Sequence, residues 1–153
     1  MPRPAGGNRL PDALRALKRL QVDVLISLLT DEETTALDLE ACHASAASLN
    51  LDYLRLPIDD HGTPGDARAF VEQLDEVLAS GPQTIVCHCW AGIGRSSLTA
   101  ATLLSRTGAD PATILPALGR ARGMTVPETP AQARWLREEI FPRGPRRVAI
   151  DGR

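Results

Sequence analysis

Apolar residues recur at helical spacing in "PDALRALKRL", at Leu14, Leu17 and Leu20, and Pro11 suits a first turn, so the segment predicts a helix. The period then changes. "VDVLISLL" is almost continuously apolar and predicts a buried strand. "TDEETTALDLEACHASAASLN" is acidic and then alanine-rich, which predicts helix with a break. "LDYLRLPI" alternates apolar and polar positions and predicts a second strand. "DDHGTPGD" is a loop by its Gly and Pro content. Asp66 is placed to cap a helix running to about Leu78, with Phe70, Val71, Leu74, Val77 and Leu78 on one face. "TIVCHC" predicts the third strand, and a helix follows from Ser96 to about Arg106. "DPATILPALGRARG" offers Asp110 as a cap and Pro111 for its first turn, with Pro116 expected to bend or shorten that helix. "TPAQARWLREEIF" repeats the device with Thr129 and Pro130. In the basic tail, "RVAI" suggests a short edge strand.

Strands that alternate with helices predict an α/β fold: a mostly parallel central sheet flanked by helices on both faces. Binding sites in such sheets form beyond the carboxyl ends of the strands. Two predicted strand ends carry reactive groups, Asp59-Asp60-His61 after the second and Cys89 after the third, and neighbouring strands would bring these loops together.

Length and composition narrow the function classes. The 153 residues fit one domain, with a core at about 12–141 and the basic tail at 142–153. Hydrophobic residues are 43% and charged residues 24%, the balance of a globular protein. The formal net charge of -2 supplies no overall basic field, so no nucleic-acid partner is expected. No apolar run approaches the roughly 20 residues of a membrane helix, and "MPRPAGGNRL" lacks a signal-peptide core, so a cytoplasmic protein without a membrane partner is expected. A monomer is the expected state. Arginine outnumbers the single lysine, Lys18, which hints at a bacterial source. The three cysteines, Cys42, Cys87 and Cys89, do not suggest a disulfide framework and leave room for a reactive thiol.

The stretch "HCWAGIGRS" carries the strongest chemistry. A strand ends at Cys89 and a helix begins near Ser96, and the loop between them can turn its N–H groups inward. Gly92 and Gly94 are expected to supply the positive φ this needs. Amides at a helix N-terminus bind an oxyanion, and the same positive potential favours a thiolate, so Cys89 should titrate below its ordinary value. Trp90, Ala91, Gly92, Ile93, Gly94 and Arg95 would form the phosphate-binding loop, with the planar fork of Arg95 gripping two oxygens. Ser96 could donate its hydroxyl proton to the sulfur when it leaves. His88 could hold the loop through its ring nitrogens. The competing reading is a small buried Cys89 and a surface Arg95.

This stretch resembles the His-Cys-x5-Arg-Ser/Thr loop of the protein tyrosine phosphatase superfamily. The short chain, with "LPIDDHGTP" before the loop and "PETPAQARWL" after it, is similar to the dual-specificity branch around the cyclin-dependent-kinase-associated phosphatase and its bacterial relatives. The resemblance covers about Asp12 to Phe141. It implies a cysteine-phosphatase fold and a metal-free, cofactor-free hydrolysis of phosphomonoesters through a cysteinyl-phosphate. The substrate it implies is a phosphoprotein carrying phosphotyrosine, with phosphoserine or phosphothreonine also admitted. Asp59 and Asp60 are both candidate acids; the family pattern falls on Asp60, and Asp59 reads as a turn residue. Adjacent carboxylates would raise one another's pKa, which suits an acid. Gln132 stands where related enzymes have a glutamine that orients water, although a surface glutamine reads equally well.

Other residues read less sharply. Trp90 and Ile93 either wall the pocket mouth or, for Ile93, pack in the core. Arg3 and Arg9 could guide an acidic substrate, against the plainer reading of a solvated terminus. Arg120 and Arg122 read as solvated or salt-bridged, Cys87 as a packed thiol, Cys42 as a remote candidate for a redox partner, and His61 as a loop residue able to tune Asp60. His61, His88 and the aspartates lack metal-ligand spacing, so no metal is expected. "WAGIG" holds no basic residue, which favours a substrate with one phosphate. Tyr53 lies in a predicted strand, so no aromatic recognition loop deepens the pocket. The rival readings are a catalytically weak phosphate-binding interaction module and a sulfurtransferase or arsenate reductase. The cysteine at position 89 speaks against an arsenate reductase, and sulfur transfer gives Asp60 no role.

Overall fold

Val24–Ser27 form β1, the middle strand of a three-stranded parallel sheet in the computed structural model of the chain, which describes residues 1–81 and 83–146. β2, Asp52–Arg55, and β3, Ile85–His88, flank it. Val24 pairs with Asp52 on one side and Ile85 on the other, and Ser27 pairs with Arg55 and His88. The register is therefore level, and all three strands end at one edge of the sheet. β2 and β3 are not neighbours; β1 lies between them, so the loops expected to meet do so across its end.

Period-two alternation along β1 divides the core. Val24, Ile26 and Leu28 face one cluster, with Phe70, Val71 and Leu74 of α4 (Ala67–Ala79) and Leu98, Ala101 and Leu103 of α5 (Arg95–Arg106). Leu25 and Leu29 face the other, with Leu10, Leu14 and Leu17 of α1 (Leu10–Arg19) and Cys42 and Ala46 of α3 (Cys42–Ala47). Burial on both faces is why "VLISLL" reads as continuously apolar. Truncating a buried leucine here, such as Leu74 or Leu98, would cost about 2–5 kcal/mol.

The helix boundaries follow local chemistry. α1 ends before Leu20, which is 73% exposed and does not continue the apolar face as its spacing suggested. The break in the alanine-rich region separates α2, Asp31–Ala36, from α3. Asp66 caps α4 by accepting from the amides of Arg68 and Ala69. Asp110 caps α6, Pro111–Arg122, and Pro116 lies inside that helix without shortening it. Thr129 and Gln132 form a capping box on α7, Pro130–Trp135, which continues as a π-type turn, Leu136–Ile140. α5 is buried nearly all round; the hydroxyls of Thr99 and Thr102 donate to the carbonyls of Arg95 and Leu98 one turn back, so polar residues are accommodated inside. Among the described residues, no helix is long and apolar enough to cross a membrane. The "RVAI" segment lies outside the described residues.

Candidate active site

Three loops meet at the carboxyl edge of the sheet. The loop after β3 runs from Cys89 to Gly94, and α5 opens at Arg95, one residue earlier than expected. Cys89 is buried, with the Gly92 amide 3.2 Å and the Ser96 hydroxyl 3.5 Å from its Sγ. Burial opposes ionisation of this thiol. The Ser96 hydroxyl, the amides of Ser96 and Gly92 and the charge of Arg95 outweigh it, and the pKa falls below its ordinary value, as expected.

Gly92 has φ +77, and a Cβ there would fall on the backbone of Met1 and Pro2. Only glycine fits this position on either count. Gly94 differs from expectation: its φ is -84, and a side chain there would press on the ends of Gln132 and Glu128. A Cβ there would lie 2.9 Å from both Gln132 Oε1 and Glu128 Oε2. Trp90 is partly exposed at the loop surface and Ile93 half-buried, so Trp90 belongs to the mouth.

Arg95 is only 2% exposed. Its Nη1 donates to Glu33 Oε2 at 2.6 Å and to the Ile58 carbonyl at 2.9 Å, while Nη2 donates to Glu33 Oε1 at 2.8 Å. Glu33 was not among the candidates. It stands in the first turn of α2, just after the loop that follows β1, where "TDEE" is a capping box: Thr30 Oγ1 accepts from the Glu33 amide, and Glu33 Oε2 accepts from the Thr30 amide. That Thr-x-x-Glu spacing was the available signal, but it announces a helix start and not an arginine clamp. Burial opposes the Glu33 charge, yet Arg95 and the Thr30 amide hold its carboxyl below the usual range. The same pair raises the Arg95 pKa against the cost of burying the guanidinium.

The loop after β2 places the two aspartates differently. The Asp59 carbonyl accepts from the Gly62 amide at 2.8 Å and closes a turn. Asp60, with a side chain 59% exposed, reaches over the site and sets Oδ1 3.0 Å from Arg95 Nη2. The group facing Asp60 is thus a guanidinium. His61 lies beside it, with Nε2 3.4 Å from Asp60 Oδ2 and Nδ1 3.7 Å from Glu128 Oε2. Gln132 is fully buried, not a surface residue; its Nε2 donates to the Gly62 carbonyl at 2.9 Å and its Oε1 accepts from the Thr129 amide. It ties the Asp60 loop to the start of α7, directly over Gly94.

Two expected roles change. His88 is fully buried and neither ring nitrogen makes a well-formed hydrogen bond; a polar contact with the Cys89 backbone only partly offsets burial. Burial lowers its pKa to about 4 and keeps the imidazole neutral. Cys42 sits in the core on the far face of the sheet from Cys89, which removes it as a redox partner. Cys87 is a packed thiol as expected, pushed up to about 12 by burial. Tyr53 is half-buried against the α1–α3 core and forms no recognition loop. Arg120 is exposed; Arg122 has a buried, unpartnered Nε and no ion pair among the described residues.

The N-terminal segment reaches the site, while Arg3 and Arg9 are both exposed, as the solvated reading has it. Pro2 forms a parallel bridge with Cys89, and the Arg3 amide donates to the Trp90 carbonyl. Arg3 Nη1 donates to the same carbonyl at 3.2 Å, and its guanidinium carbon stands 4.9 Å from the centre of the Trp90 ring. Arg9 is exposed at the start of α1.

A family model described as a polymorphic toxin system, DSP-PTPase phosphatase matches residues 1–109, a span that includes all three loops and α5. None of the curated proteins matches the chain. Among solved structures, a kinase associated phosphatase with serine in place of its catalytic cysteine is 22% identical, with a TM-score of 0.75 over 90% of this chain and 82% of its own. The active form of Tk-PTP is 24% identical, with a TM-score of 0.70 over 94% and 88%. A putative protein tyrosine phosphatase from Leishmania major is 20% identical, with a TM-score of 0.65 over 90% and 84%. These likenesses fix the fold as that of the cysteine phosphatases. The chain belongs to the polymorphic toxin system DSP-PTPase phosphatases, within the dual-specificity branch of the protein tyrosine phosphatase superfamily.

Proposed function

We propose that the chain is one cysteine-dependent phosphatase domain that hydrolyses a phosphotyrosine, and also a phosphoserine or phosphothreonine, in a protein substrate. The observation that carries this reading is the pairing of a stabilised Cys89 thiol with a buried Arg95 whose fork is held by Glu33 at 2.6 and 2.8 Å. A thiolate and a pre-oriented guanidinium at one helix N-terminus match an oxyanion that is attacked at its centre.

Without substrate, the Asp60 carboxylate occupies one edge of Arg95; an incoming phosphate displaces it, and the freed, exposed carboxylate takes up a proton from solvent. The Cys89 thiolate attacks phosphorus in line; the S–P bond forms as the ester P–O bond breaks, and Asp60 gives its proton to the leaving oxygen. Loop amides and Arg95 share the equatorial charge. Asp60, now a carboxylate on the loop that Gln132 holds through the Gly62 carbonyl, takes a proton from the attacking water. The water oxygen bonds phosphorus, the S–P bond breaks, Ser96 supports the departing sulfur, and inorganic phosphate leaves. The neutral "WAGIG" loop and the absence of an aromatic recognition loop favour a single phosphate in a shallow pocket.

Turnover of p-nitrophenyl phosphate tests the reading. The wild-type chain should hydrolyse it, and Cys89→Ser should lose about 10⁴-fold or more in kcat. A wild type no faster than Cys89→Ser would leave only a phosphate-binding module. Mass spectrometry of an acid-quenched reaction should find one phosphate on Cys89.

A further inference from the structure

Arg3 and Arg9 line one cleft of about 480 Å³, with Gly6, Ala36, Leu37 and Asp38. Of its lining, Arg3 contacts Trp90, the residue after Cys89. Arg3 is fixed there by its stack on the indole and its bond to the Trp90 carbonyl, and the bridge from Pro2 to Cys89 holds the backbone. Among the described residues, neither Arg3 nor Arg9 makes an ion pair. Asp38 is the one acidic residue in the lining, and its carboxylate lies towards Gly7. The cleft thus carries more positive than negative charge in a chain whose net charge is -2. The other side of the catalytic loop has the opposite character, with Asp60 and Glu128 about His61.

We propose that this cleft receives an acidic side chain of the substrate protein that flanks the phosphorylated residue, so that Arg3 and Arg9 set a preference for acidic phosphopeptides. The inference rests on the phosphatase reading and names its substrate class. No residue from Cys89 to Ser96 lines the cleft, so the anion it holds belongs to a different side chain from the scissile phosphate. Arg3 is preorganised, so little side-chain freedom is lost when it binds a carboxylate.

The experiment compares kcat/KM at low ionic strength for two phosphotyrosine peptides, one flanked on both sides by Glu and one by Gln. The Glu peptide should be favoured about fivefold, two exposed ion pairs being worth that much, and the advantage should shrink as salt is raised. The double variant Arg3→Gln/Arg9→Gln should bring the ratio close to one. Arg9→Glu, a surface change that keeps Arg3 on Trp90, should reduce the ratio and improve a Lys-flanked peptide. A wild-type ratio near one, or a preference that the variants leave intact, would overturn the proposal. Hydrolysis of p-nitrophenyl phosphate in parallel separates the two failures: no turnover of any substrate sinks the phosphatase reading, whereas turnover without a peptide preference sinks only this one.

Discussion

The Cys89–Arg95 loop and the Asp59–Gly62 loop follow edge strands of the same sheet, yet they sit in opposite physical regimes. Cys89 and Arg95 are buried and fully partnered, by two amides, a hydroxyl and a bidentate carboxylate. Asp60 is exposed; it is held by the His61 amide and by an ion pair to the arginine that a substrate phosphate would claim. The contrast suits the two jobs. Charge stabilisation needs dipoles fixed before the reaction in a low-dielectric site, whereas an acid must approach the leaving group, withdraw, and exchange protons with water.

Substitutions can break this comparison, and the largest effect falls on the buried loop. Arg95→Lys keeps the charge but loses the fork, the Glu33 pairing and bidentate phosphate binding; kcat/KM for p-nitrophenyl phosphate should fall about 10³-fold. A fall below tenfold would mean that Arg95 acts only as a diffuse charge. Asp60→Asn should slow phenyl phosphate about 10²-fold and p-nitrophenyl phosphate much less, because a good leaving group needs little proton donation. It should also tighten inhibition by inorganic phosphate a few-fold, since the Arg95 edge is vacated. Equal slowing of both esters, or a larger loss in Asp59→Asn, would move the acid elsewhere.

Glu33→Ala tests the clamp itself. It leaves a buried guanidinium without its carboxylate, which should cost about 3 kcal/mol in a denaturant titration and about tenfold in kcat/KM. Unchanged stability would show that Arg95 finds another partner. The smallest effect concerns the thiolate. Ser96→Ala removes one group that lowers the Cys89 pKa, so the midpoint of iodoacetate alkylation against pH should rise, and at pH 6 alkylation should slow several-fold. A midpoint that falls or stays fixed would remove Ser96 from the charge balance of the sulfur.

The nucleophile loop was legible because its signals are local. An apolar strand, a cysteine, spaced glycines and a helix start lie within fifteen residues, and each constrains the next. The strand order was less so: the pattern shows β1, β2 and β3 but not that β1 lies between the other two, because pairing is a long-range choice among similar edges. Leu20 shows the limit of periodicity, since spacing alone does not say where a helix stops. Gly94 shows another. Its glycine suggests backbone freedom, whereas its φ is negative and the ends of Gln132 and Glu128 pack above it.

By itself the sequence determined the alternating α/β order, the cysteine-to-arginine loop and the pair of aspartates proposed to supply the acid, because these depend on neighbours along the chain. Only the tertiary structure decided that Glu33 clamps Arg95 from 62 residues away, that Asp60 and not Asp59 meets it, that Gln132 ties the Asp60 loop to the start of α7, and that Arg3 stands on Trp90. Each of those is an ion pair, hydrogen bond or stacking contact between segments remote in sequence. It exists because three level strands end at one edge and bring their loops within a side chain's length.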